Sequence, residues 1–341
     1  MHLSLIQTSY DLNNLANEWN ELLSHSASHV PFLRHEYLKN WWRTLGGGEW
    51  KNGALCVVIA RREDQSLAAI APLFFTENTQ GEPALMLLGS FEISDYLDIL
   101  ACPDYLPGFM EDLLDCLENL SSPIWRVIDL YNIVESSPTL PLLKDAVLRR
   151  NWVYVEEPLQ HCPYIPLPAT WEAYLASLDK KQRHEVRRKM RRVEENKLPV
   201  TWYIVQDQAK LEWEIEDLFQ LMTTDEAKNR FLTKEMRLQM RTAIQTAFVE
   251  GWLQLAFLEV GGEKAAAYVN FDYDNRIWVY NSGFNPRFRE LSTGWVLLSY
   301  LLKWAIENKR STFDFMRGEE DYKYRFGGID RHIKRVIIKR L

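Results

Sequence analysis

The densest proton-transfer chemistry in the chain lies in FDFMRGEEDYKYRFGG, residues 313–328. A short strand here alternates its side chains, so Asp314 points away from Phe313 and Phe315. Gly318 breaks the strand, and Glu319, Glu320, Asp321, Tyr322 and Lys323 crowd together behind it. Tyrosine and lysine move protons when their surroundings shift their pKa values, and a carboxylate beside them can serve as base toward an amine or hydroxyl. The same residues would also make a plain charged surface turn. A second stretch, NSGFNPRFRELSTGW, ends a strand near Phe284, passes Arg287 and Arg289, and opens an apolar helix at Ser292-Thr293-Gly294. Ser292 or Thr293 suits an N-cap. A helix N-terminus favours phosphate, and Gly294 would let a pyrophosphate approach the backbone. An ordinary capped helix after a loop has the same sequence signature. A third stretch, ISDYLDIL, residues 93–100, places Asp95, Tyr96 and Asp98 in and beside a strand. It reads as a binding edge or as a half-buried strand with loop acids.

The fourth feature is basic. KKQRHEVRRKMRRVEE packs eight cations into residues 180–192 against the single carboxylate of Glu185. On a helix, Val186, Met190 and Val193 form an apolar stripe, and Arg183, Arg187 and Arg191 form a row of like charges that repel. The whole chain is nevertheless acidic, with a net charge of −7. A general nucleic-acid binder needs a broad basic face, so DNA is not expected as a partner and any anion site must be local. The segment reads as a docked, solvated helix, as a local site for an anionic substrate, or as a patch with non-specific attraction to nucleic acid or a membrane surface.

Composition bounds the rest. With 341 residues, 47% hydrophobic and rich in Trp, Tyr and Phe, the chain can build two real cores. Cys56, Cys102, Cys116 and Cys162 show neither C-x-x-C nor zinc-ligand spacing, and the seven histidines lack metal spacing. No metal site is expected, and the cysteines fit a reducing compartment. No P-loop or G-x-S-x-G occurs. The N-terminus lacks the charged and apolar regions of a signal peptide, and no apolar run suits a membrane span. The expected location is the cytoplasm.

Periodicity supplies the elements that must position these groups. Helices are expected over 11–24, 31–46, 107–120, 140–151, 170–179, 180–195, 209–229, 233–251 and 293–309. The segments ALCVVIARRE and SLAAIAPLFFTE form a hairpin, and GWLQLAFLEVGGEKAAAYVNFDYDNRIWVYNSGF gives three strands with turns at Gly261-Gly262 and Asp274-Asn275. HIKRVIIKRL reads as the closing strand of the second half. The proline-rich exit around Pro158, Pro163, Pro166 and Pro168 marks a crossing between domains 1–160 and 161–341. The class is α+β, with mixed, mostly antiparallel sheets flanked by helices in two similar halves.

Taken in order, SDYLDIL, TWEAYL, KKQRHEVRRKMRRVEE, YNSGFNP, S-T-G at a helix start and D-F-x-x-G-x-x-x-Y-K resemble one family. It is the GNAT-superfamily acyltransferases of the FemAB-like type associated with cellulose and exopolysaccharide biosynthesis, the CelD-like group. The resemblance covers nearly the whole chain. Its most specific part is Asp314, Phe315, Gly318, Tyr322 and Lys323. It implies two GNAT-like (acyl-CoA N-acyltransferase) domains, an acyl-CoA donor such as acetyl-CoA, and a small-molecule or saccharide acceptor bearing an amine or hydroxyl. FemAB relatives proper use aminoacyl-tRNA, which makes a tRNA donor the alternative, and a non-catalytic module for an anionic glycan is a further one. The resemblance puts the donor phosphates at Arg287, Arg289, Ser292, Thr293 and Gly294. Proton transfer falls to Tyr322 or Asp314, and Lys323 orients an anionic acceptor or the donor phosphate. Arg187 and Arg191, with Asp95 and Tyr96, are the candidate substrate-binding residues.

Overall fold

A computed structural model describes residues 1–340 and resolves them into two compact units. The first comprises Met1–Gln160 and the described residues from Arg331 onward; the second is His161–Asp330. The class is the α+β arrangement expected, with mixed, mostly antiparallel sheets flanked by helices.

The first unit has two sheets. One orders His2–Ile6, Val57–Arg61, Leu67–Ala71 and Leu100–Ala101, all antiparallel. The other orders Ala54–Leu55, Leu73–Glu77, Pro83–Leu87, Val127–Val134, His332–Lys339 and Val153–His161. The stretch SLAAIAPLFFTE, expected as one strand, is therefore two strands in different sheets. They part at Pro72, which cannot donate to a ladder. The helix expected over 11–24 likewise divides at Leu15.

The last strand also corrects an expectation. His332–Lys339 does not close the second half; it pairs antiparallel with Val127–Val134 of the first unit. Arg335 makes a two-point ion pair with the fully buried Asp129, both contacts 2.8 Å, and Asn78 donates to the same carboxylate at 2.9 Å. A buried carboxylate without such partners would be strongly destabilising. Its partners lie far away in sequence, so a local reading of residues 331–340 has no access to them.

The second unit is one six-stranded sheet, ordered Tyr164–Pro166, Thr312–Asp314, Arg276–Phe284, Glu263–Tyr273, Leu253–Val260 and Val200–Ile204. Both expected hairpin turns form, and all four of their residues take positive φ, as tight turns of that kind require. Helix Thr293–Glu307 lies over one face on a core that includes Ala256, Leu258, Tyr268, Ile277 and Val279. Helix Leu211–Met222 meets the strand at Gly283, where a Cβ would stand 2.6 Å from the backbone of Leu221 and Met222. Only the absent side chain allows that approach.

The basic helix spans Lys180–Glu194, capped by Asp179, whose carboxylate accepts from Gln182 N at 2.9 Å. Its stripe docks as expected: Val186 and Val193 are buried and Met190 packs half-buried on the same core. Lys189 sits 3.9 Å over the ring of Trp295, tying this helix to the start of Thr293–Glu307.

Candidate functional site

The site begins with a sheet defect. Arg276–Phe284 runs parallel to Thr312–Asp314, but their pairing covers only Arg276–Trp278. Past Trp278 the strand has no described partner on that side. On its other side a bulge at Tyr280 shifts the register, with Asn281 opposite Val269 and Val279 opposite Asn270. Bulges bend and twist a strand and re-aim the residues beyond them. The freed end, Ser282 to Asn285, becomes a wall of a cavity of about 560 Å3.

Helix Thr293–Glu307 forms the next wall. The expected hydroxyl cap is absent. Ser292 takes a left-handed backbone (φ 53°) and its side chain makes no cap bond, while Thr293 Oγ1 donates to the Ala265 carbonyl at 3.2 Å. The 3-10 turn Pro286–Leu291 leads directly into the helix and fixes that conformation. The first-turn N–H groups of a helix have no intrahelical partner, and here Thr293, Gly294 and Trp295, which carry three of them, line the cavity. Gly294 is needed for a contact the sequence does not suggest: a Cβ there would lie 2.3 Å from the Phe284 ring. Arg289 reaches the cavity from the turn. Arg287 does not. It pairs with Glu263 at 2.7 Å and lines an open groove of about 890 Å3 with Arg188, Arg191, Arg192 and Lys197. Arg187 is exposed and lines neither space.

The third wall comes from residues 320–326. What reads as a charged loop is a short helix, Asp321–Arg325, that turns Tyr322 into the cavity and Lys323 into the protein. Burial pushes the Tyr322 hydroxyl well above the usual tyrosine range, with the Glu320 carboxylate adding to the shift. Tyr268, fully buried in the neighbouring strand, is raised for the same leading reason. Both therefore remain protonated donors at neutral pH.

Lys323 and Asp314 do not reach the cavity. The Lys323 ammonium, 3% exposed, donates to the carbonyls of Arg317 (2.6 Å), Gly318 (3.1 Å) and Met316 (3.3 Å) and pairs with Glu320 at 2.9 Å. Asp314 is buried, and its carboxylate accepts from Met316 N at 2.8 Å. Asp95 and Tyr96 belong to the first unit and are nearly fully buried, Tyr96 accepting from Arg331 at 2.8 Å. Asp98 beside them accepts from Ser28 and Ser137.

Three further cavity residues were not singled out from the sequence, Lys228, Tyr268 and Ser282, and Glu320 of the expected carboxylate cluster joins them. Lys228 matters most. The helix expected over 209–229 breaks after Met222, because Thr224 Oγ1 donates to the Phe284 carbonyl at 2.6 Å and Asp225 caps a new helix, Glu226–Phe231. That break turns Lys228 inward, where its Nζ donates to the Ser282 carbonyl at 2.5 Å. The signal was present: Asp225 followed by Glu226 is a helix-start pair. No Gly or Pro punctuates it, so periodicity carried the helix through.

Known proteins share this architecture. Residues 180–324, within the second unit, match the family model described as Acetyltransferase (GNAT) domain. Among solved structures the whole chain is similar to FemX, with a TM-score of 0.66, 11% identity, and 98% of this chain and 97% of that one covered. It is also similar to a conserved protein of Bacteroides thetaiotaomicron, with a TM-score of 0.63, 11% identity and coverage of 99% and 100%. A third is the C-terminal domain of a protein described as a lysylphosphatidylglycerol synthetase, from Agrobacterium fabrum (TM-score 0.59, 10% identity, coverage 97% and 92%). At such identities the likeness is one of fold. No curated protein matches the chain. No helix among the described residues is long and apolar enough to cross a membrane.

Proposed function

We propose that the second unit transfers an acyl group from a phosphate-bearing activated donor, an acyl-CoA such as acetyl-CoA, to an amine or hydroxyl acceptor. The observation that carries this reading is the cavity at the parting strands. There an uncapped helix start and Arg289 join Phe284, Trp295 and Phe326 and the ionisable Lys228, Glu320 and Tyr322. Free N–H groups with an arginine suit a pyrophosphate, and the aromatic walls suit an apolar arm. Tyr322, which lines this cavity and is kept protonated by burial, is the group assigned to protonate the departing thiolate as the acceptor attacks the carbonyl. The resemblance to CelD-like proteins supports a saccharide or cell-envelope precursor as acceptor.

An aminoacyl-tRNA donor is the second reading. The groove of Arg188, Arg191, Arg192, Lys197 and Arg287 favours it, since it adjoins the 3-10 turn whose Pro286 and Arg289 line the cavity. Melting curves separate the two. A ligand present at a hundred times its Kd stabilises by about 2.7 kcal/mol. For a unit of this size that raises Tm by roughly 5–11 °C. A shift with acetyl-CoA supports the first reading. Binding of aminoacyl-tRNA that falls steeply with salt, and no shift with CoA, supports the second. Neither response leaves a binding module and defeats both.

A further inference from the structure

We propose that Lys228 is the group that takes the proton from the attacking acceptor, a catalytic base supplied by the break between helices Leu211–Met222 and Glu226–Phe231. The inference rests on the acyl-transfer reading above and names a role which that reading leaves vacant.

Lys228 lines the cavity half-buried, and two of its contacts go to one residue: the Ser282 carbonyl at 2.5 Å and the Ser282 hydroxyl at 3.3 Å. A neutral amine has two N–H bonds and one lone pair. With both N–H bonds spent on Ser282, the remaining tetrahedral direction is left for a ligand. A base is held in place this way without its basic electrons being consumed.

The surroundings favour the neutral form. Burial lowers the pKa of Lys228 from the ordinary lysine value, with Asp225 and Glu320 opposing the shift. Lys228 lies in the six-residue helix Glu226–Phe231. Asp225 is the cap of that helix and accepts from the Lys228 backbone N–H at 3.0 Å. Glu320 is engaged with Lys323. The remaining groups around the cavity are Arg289, which is cationic, and Tyr268 and Tyr322, which burial keeps neutral.

The proton inventory closes without an outside reactant. The acceptor nitrogen forms a bond to the donor carbonyl carbon and the carbon–sulfur bond breaks. The acceptor's proton passes to Lys228 Nζ. The leaving sulfur takes the Tyr322 proton, and the Lys228 ammonium restores it to Tyr322, so the net change is one proton moved from acceptor to leaving group.

The test uses the full chain and follows thiol release from acetyl-CoA, with glucosamine and hydroxylamine as acceptor probes, from about pH 6 to about pH 10. Wild type is expected to gain activity as pH rises through a midpoint below the ordinary lysine value of about 10.4. Lys228→Met is expected to lose about 10²–10⁴-fold in kcat while keeping the acetyl-CoA melting shift, which shows that it folds and binds donor. Lys228→Arg is expected to be equally slow, because guanidinium cannot give up its proton. Activity of Lys228→Met within about threefold of wild type overturns the proposal, and so does rescue by Lys228→Arg, because charge alone would then suffice. A loss confined to KM overturns it as well. A wild type that neither binds acetyl-CoA nor releases thiol sinks the acyl-transfer reading itself, a result distinct from these.

Discussion

Lys323→Met is the most informative single change, because the residue's sequence context suggests catalysis while its contacts describe a clamp. The ammonium is 3% exposed and holds the turn that brings Glu320 and Tyr322 to the cavity. Two carbonyl contacts are short, Arg317 at 2.6 Å and Gly318 at 3.1 Å; Met316 at 3.3 Å is weaker. Hydrogen bonds to a charged group contribute about 1.5–3 kcal/mol each. The Glu320 leg adds no more than about 1 kcal/mol, since that carboxylate is 58% exposed. The turn also carries strain that something must hold, since Met316 is left-handed at φ 56°. The expected loss is therefore about 3–7 kcal/mol, or roughly 6–28 °C in Tm for a unit of this size. Methionine has nearly the same length, so packing changes little. Calorimetry with the variant and wild type measures the loss, and acetyl-CoA binding well below the new Tm reports whether the cavity survives. A variant that melts within about 2 °C of wild type yet has no activity would refute the clamp and return Lys323 to the chemistry.

Gly283→Ala is expected to cost about 1–3 kcal/mol by overpacking, because its Cβ would meet the backbone of Leu221 and Met222 and shift the helix end that precedes Lys228; urea melts should show the loss, and turnover should fall with it. Tyr322→Phe is expected to fold normally and lower kcat by about 10²–10⁴-fold with little change in KM. Because burial raises the Tyr322 pKa, steady-state pH profiles of wild type should show no alkaline loss from this residue below about pH 10, where an ordinary tyrosine ionises. Arg187→Glu with Arg191→Glu replaces exposed charges, so stability should move by less than about 0.5 kcal/mol. Affinity for the anionic donor at low salt should weaken several-fold and recover as salt screens the change, and unchanged affinity at low salt would return the basic helix to a solvated face.

The readings that held depend on neighbours in sequence. The turns at Gly261-Gly262 and Asp274-Asn275 hold because positive φ is a local demand. The stripe Val186, Met190, Val193 docks because helical spacing alone puts those side chains on one face. Arg289, Thr293, Gly294 and Tyr322 are each candidates from local patterns, an arginine before a helix start and a tyrosine after a strand break, while their meeting at one cavity comes from the fold. Long-range contacts decided the rest. Lys323 is a clamp because the 316–318 carbonyls fold back over it. The final strand joins the first unit because Asp129 lies there. Gly294 serves the Phe284 ring, and Lys228 enters the cavity only because Thr224 bonds the end of a strand sixty residues away. Residue type and spacing therefore determined which side chains could do chemistry. Tertiary structure decided which of them face one cavity, because a side chain's direction and degree of desolvation depend on partners that no local stretch contains.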